Sequence, residues 1–196
     1  MTFAARPIGL HGKRWEFVGA GAVSTGASAN FPSTAQAGDL AVWCGSVGSS
    51  GAPPSGWTLI AAGSTLQAYK VCAGGETSAS WGSYSGTTRA IILLFRPVGG
   101  SAVLHASATD SPATARTMAA GDSPSLIVAI GNATGGIIGP SSWDTTLPGA
   151  WNTVHDSTAS PAFHTSWRTM EAGESTGSMR LTTASARQTF GIWGIA

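Results

Sequence analysis

The stretch AYKVCAGGE (68–76) returns 98 positions later as SWRTMEAGE (166–174). An aromatic residue, a cation, four variable positions and then Gly-Glu occur in both. The same spacing pairs Arg89 with Arg187, Leu94 with Ile192 and Phe95 with Trp193. Upstream the spacing is 86: LAVWCG (40–45) lies over LIVAIG (126–131), and PSGW (54–57) over PSSW (140–143). The step of 12 is one insertion between Trp143 and Trp167. It falls in LPGAWNTVHDSTAS (147–160), which reads as a loop. A Gly-Asp turn opens each copy, at Gly38-Asp39 and Gly121-Asp122. This repeat limits the fold severely. One copy carries only five or six short strands, each with an apolar face that it cannot bury alone. Two copies can bury those faces against each other.

The local pattern agrees. Short apolar runs alternate with Gly, Ser, Thr and Pro clusters, and helical periodicity is almost absent. Strands are expected at 15–23, 40–46, 58–62, 66–72, 77–81, 89–96, 103–107, 115–118, 126–130, 162–170, 178–183 and 187–195. The expected fold is all-β: a two-sheet antiparallel β-sandwich, jelly-roll-like, built from a degenerate internal duplication. The copies run over approximately 35–98 and 117–196, inside a sandwich spanning 31–196. Residues 1–30 stand apart as an N-terminal strand and assembly segment. Lys13-Arg14, FVGAGAV (17–23) and ASA (27–29) imitate a secretory leader. Glu16 and two glycines interrupt the apolar run, so the segment is read as part of the folded chain.

Charge narrows the partners. Charged residues are 10% of the chain and the formal net charge is +1, whereas a typical soluble domain is about 25% charged. Nucleic acid would need a basic stripe, and Lys13-Arg14 is the sole basic cluster. The longest apolar run is AIILLF (90–95), far short of the ~20 residues of a spanning helix. Neither nucleic acid binding nor membrane insertion is expected. The eight Trp supply burial that a Gly-rich chain otherwise lacks.

Catalytic patterns are weak. GSYSG (82–86) puts Tyr84 where a nucleophile elbow needs serine. Glu76 and Glu174 form a repeated carboxylate pair, but each follows Gly in a turn, where Glu accepts backbone N–H bonds or pairs with a cation. His155-Asp156 and His164 lie in or beside the inserted loop without metal-site spacing, and read as solvated loop histidines. Gly-Asp turns need no ion. Cys44 and Cys72 align with Ile130 and Met170, so each reads as a small buried hydrophobe; a disulfide between them needs adjacent strands. No enzyme activity, cofactor or metal is expected. Trp57 and Trp143 recur at matching sites and read as core. Trp81 and Trp151 have no aromatic counterpart. Together with Asn152 and His155 they are the candidate contacts for a ligand or partner.

GDLAVWCGSV, PPSGWTLIAAGS, LQAYKVCAGGE and TTRAIILLFRPV resemble the β-sandwich modules of bacteriophage and prophage virion proteins, notably tail- and adsorption-associated ones. The resemblance covers roughly residues 35–196 and rests on turn and core positions. It implies a non-enzymatic structural protein at the phage particle surface. Assembly with other virion proteins and with copies of itself would follow. Capsid decoration is an alternative setting. A carbohydrate-binding module recognising a host surface glycan is the alternative from another class.

Overall fold

A computed structural model describes residues 12–46, 52–61, 65–82, 89–110, 116–133, 143–145, 151–157, 162–181 and 186–196. Among them there is no helix. The strands are β1 (Arg14–Ala20), β2 (Ser28–Asn30), β3 (Leu40–Ser46), β4 (Thr58–Ala61), β5 (Thr65–Val71), β6 (Ser78–Ser80), β7 (Arg89–Val98), β8 (Ala102–Asp110), β9 (Ser125–Ala133), β10 (Trp143–Thr145), β11 (Asn152–Ser157), β12 (Ala162–Met170), β13 (Met179–Leu181) and β14 (Ala186–Ile195). They form an antiparallel sandwich of two five-stranded sheets. The first runs β1-β7-β3-β5-β4; the second, read from its other edge, runs β8-β14-β9-β12-β11. Two-strand pairs, β2-β6 and β10-β13, accompany them.

The duplication is visible in the register. Val42 lies opposite Tyr69 and Leu40 opposite Phe95. Their counterparts repeat this, with Val128 opposite Trp167 and Leu126 opposite Trp193. Even the irregularity repeats. β1 bulges at Val18, between the partners of Phe95 and Leu94. β8 bulges at His105, between the partners of Trp193 and Ile192. β1 is therefore the counterpart of β8, and each copy builds one whole sheet.

This corrects the boundary expected at residue 30. β1 is the outer strand of the first sheet, and Trp15 sits in the core between the sheets. Its indole donates to the carbonyl of Pro124 at 3.1 Å. The insertion is also more than a loop, because 152–157 form β11 and take the edge place that β4 holds in the first sheet. The strand expected at 115–118 reduces to single bridges, Arg116 to Met179 and Ala119 to Ser175. Residues 1–11 lie outside the described residues.

The inter-sheet core gathers Leu40, Val42, Ile91, Leu93 and Phe95 from one sheet and Leu126, Val128, Ile130, Phe163 and Trp193 from the other. Two aromatic contacts cross it reciprocally. Tyr69 meets Trp193 at 5.7 Å and 74°. Trp167 meets Phe95 at 5.4 Å and 75°. Tyr69 and Trp167 are repeat-equivalent, as are Phe95 and Trp193. Residue i of one copy thus touches j of the other, and the reverse, as at a two-fold interface. The outer faces are covered too. Trp43, Trp57, Trp81 and Phe31 pack on the first sheet, and Met118, Met170 and Met179 on the second. Central strands buried on both faces explain the unbroken apolar runs LAVWC and AIILL, whereas the edge strand β8 alternates between partly buried and exposed residues.

Trp193 is fully buried, and a Cβ at Gly191 would collide with its ring. Trp193→Ala should cost about 3–5 kcal/mol. Denaturant unfolding should remain one transition that both sheets share. Two separated transitions would show that the halves do not depend on the common core.

Candidate functional site

The repeated Gly-Glu is a turn clamp. In the first copy Glu76 takes the ammonium of Lys70 at 2.9 Å and the backbone N–H groups of Ala73 and Gly74 at 2.7 and 2.9 Å. In the second, Glu174 takes Arg168 at 3.0 Å and the N–H of Glu171 at 2.9 Å. The preceding glycines, Gly75 and Gly173, both sit at positive φ, 80° and 74°, which a side chain would strain. Both carboxylates thus brace turns. A cleft of about 490 Å³ opens beside the first one, lined by Phe31, Pro32, Ala35 and the Gly75–Thr77 turn.

A second set of polar groups is not explained by turns. On the outer face of the second sheet, direct cross-strand partners run Asp156, His164, Gly131, Gln188, Asp110 from β11 to β8. Asp156 lies 3.6 Å from the Nδ1 of His164. Gln188 donates to Asp110 at 3.1 Å, and Asp110 also holds Arg116. His164 and Gln188 are fully buried. The same row in the first sheet is apolar: Leu66, Gly45 and Ala90. There the indole of Trp43 lies over Gly45, close enough that a Cβ would sit 3.0 Å from its Nε1. The counterpart of Trp43 is Ala129, so the second copy has exchanged an indole-covered layer for a polar one.

The polarity extends between the sheets at the same end. Thr65 and Thr189 share a hydrogen bond of 2.8 Å, and Gln67 donates to the carbonyl of Val128 at 3.3 Å. Among the described residues Ser46 Oγ, Gln67 Oε1 and His155 Nε2 are buried without a hydrogen-bond partner, which costs about 1–3 kcal/mol each when dry. Burial lowers the His155 imidazole, and the nearby Arg89 guanidinium lowers it further. Burial also lowers His164, against the opposing pull of Asp156.

The expected contact residues divide. Trp151, Asn152 and His155 lie along β11 and its entry, but Trp151 and His155 pack on opposite faces of the sheet. Trp151 is partly buried against the cluster of Ile127, Ala129 and Phe190. Asn152 is exposed and donates to the carbonyl of Trp167 at 3.4 Å. His155 is partly buried, its ring 5.4 Å from Phe163. Trp81 belongs elsewhere. It is 3% exposed and packs on Trp43 at 5.7 Å, so core packing removes it from the contact set. His155 and His164 are strand residues held in the fold, which corrects the solvated-loop reading. The polar row itself was hidden, because Gln188, Gly131 and Asp110 become neighbours only through sheet register.

The cysteines are free and buried. They pack on opposite faces of the first sheet, Cys44 between the sheets and Cys72 in the outer cluster, so adjacency of β3 and β5 cannot join them. Burial pushes both thiols up to about 12. Among the described residues no three His, Cys, Asp or Glu side chains are placed to hold a metal. The backbones of Asp156 and Asp110 stand four strand spacings apart, about 19 Å, wider than the separation of paired glycosidase carboxylates. The side chain of Trp143 lies outside the described residues. No family model, curated protein or solved structure matches this chain.

Burial alone would raise the Glu76 carboxyl, but hydrogen bonds from Lys70 and the turn backbone outweigh it and bring it down to about 2, from 4.5. Its contribution to stability is complete above about 4.5 and disappears as pH falls through about 2. Glu76→Gln should therefore lower the melting temperature at neutral pH and shrink the loss of stability between those two values. An unchanged acid limb in the variant would contradict the clamp.

Proposed function

We propose that this chain is a non-enzymatic structural protein that assembles through a sheet edge, in the setting that the virion resemblance implies: the phage particle surface, at the tail or adsorption apparatus. The observation that carries assembly is β8. It is nine residues long, among the described strands it pairs only with β14, and its sequence AVLHASATD contains no Lys, Arg or Pro. Protected edges are short, charged or bulged. β4 has four residues, β11 has six and a bulge, and β1 carries Arg14 and Glu16. β8 shares the bulge of β1, yet apart from Asp110 at its end, which is paired with Arg116, its residues on either side of the bulge carry no acid, Lys or Arg, and Val103 is 48% exposed. Antiparallel pairing of β8 with its copy brings no like charges together, and two-fold closure is the default for a homo-oligomer. The virion setting rests on the sequence resemblance of residues 35–196. The structural use of Glu76 and Glu174 agrees with a protein whose acids brace turns.

Absolute mass by light scattering after size exclusion tests this at several concentrations. The wild-type chain should form a defined oligomer. Val103→Lys with Ser107→Lys should return it to the monomer with an unchanged circular dichroism spectrum, since both sites are exposed. A wild-type monomer throughout, or an oligomer indifferent to the two lysines, would overturn edge assembly.

A further inference from the structure

The edge strands β4 and β11 hold equivalent places, but they are seated differently. β4 lies on Tyr69, Ala68 and Gln67 of β5, with no histidine in the ladder. β11 lies on β12 with an imidazole on each face of the ladder, partly buried His155 on one and fully buried His164 on the other. The bulge at Val154 turns His155 inward, opposite Thr165 and against the ring of Phe163. Asp156 then faces outward, opposite the fully buried His164.

We propose that β11 is an acid-released edge strand. The charges that face its two histidines decide the direction. Across the sheets His155 meets Arg89 of β7, and on its own strand it adjoins Asp156. A proton on His155 therefore places two cations together in a buried polar layer. His164 meets Asp156 of β11 and the neighbouring His155. Along its row stand Gln188 of β14 and Asp110 of β8, the latter already engaged with Arg116. Further along the same face of β12, Arg168 is engaged with Glu174. Among the described residues Asp156 is the one acid facing the two rings, and it cannot neutralise both once they are charged. Once β11 is released, His155 on it and His164 on the bared edge of β12 meet water and charge near their ordinary value of 6.5. Closed β11 binds fewer protons than open β11, so its seat is fully stable above about 6.5 and weakens as pH falls below it. At about pH 5 the opening equilibrium should rise by up to about 30-fold for each histidine. Release bares the outer edge of β12 and the polar layer behind it.

The duplication supplies an internal control. Amide hydrogen exchange of the intact chain, corrected for the intrinsic pH dependence of exchange, should be measured at about pH 7.5 and about pH 5. Protection of β11 should fall at the lower pH, while β4 and β5 keep theirs. His155→Phe with His164→Gln should hold β11 protected at both. Should the double variant not fold, each single substitution should remove part of the pH effect. Equal changes in β4 and β11, an acid loss that survives in the variants, or a β11 unprotected already at pH 7.5 would each overturn the proposal.

Discussion

The fold depends on two aromatic contacts that cross between the sheets, Tyr69 with Trp193 and Trp167 with Phe95. They are one contact made twice, because each pairs a residue of one copy with its partner type in the other. The aromatic-cation-x4-Gly-Glu repeat therefore has two jobs. Its aromatic position joins the sheets, and its cation and glutamate close the turn that follows the same strand. A change at the aromatic position is felt in both halves, whereas a change at the glutamate stays in one turn.

Around this shared frame the copies have diverged where the frame permits. The first keeps Asp39 buried and held by Arg96 through contacts of 2.8 and 3.0 Å. The second has Gly194 at the counterpart of Arg96, and its Asp122 is exposed. The first fills its outer face with Trp43, Trp57 and Trp81. The second replaces Trp43 by Ala129, Leu66 by His164 and Ala90 by Gln188, which converts a hydrophobic layer into a titratable one. Removing an indole and adding buried polar groups both weaken a core. Such a change is concentrated where function usually lies.

Much of the frame was legible in the sequence. β3 and β12 have the bounds that apolar runs between turn residues give, and the glutamate turns follow from Gly-Glu beside a cation. The misses have physical causes. β11 reads NTVHDS, too polar to register as a strand, because an edge strand buries little and half of its character comes from its partner. β1 was set apart because it lacks the repeat's motifs, although its bulge and register match β8. The row from Asp156 to Asp110 depends on pairing across five strands, and sequence spacing carries no sign of it. Trp81, without an aromatic counterpart, looked available for contact; in the fold it fills the space beside Trp43.

Neither sheet is complete without the other. Splitting the chain in the turn between β7 and β8, into residues 1–99 and 100–196, tests it directly. Each fragment alone should show no cooperative melt, since it exposes a face as apolar as Leu40, Val42, Leu93 and Phe95. An equimolar mixture should recover the spectrum of the intact chain as a one-to-one complex. A fragment that folds and melts cooperatively by itself would contradict the account.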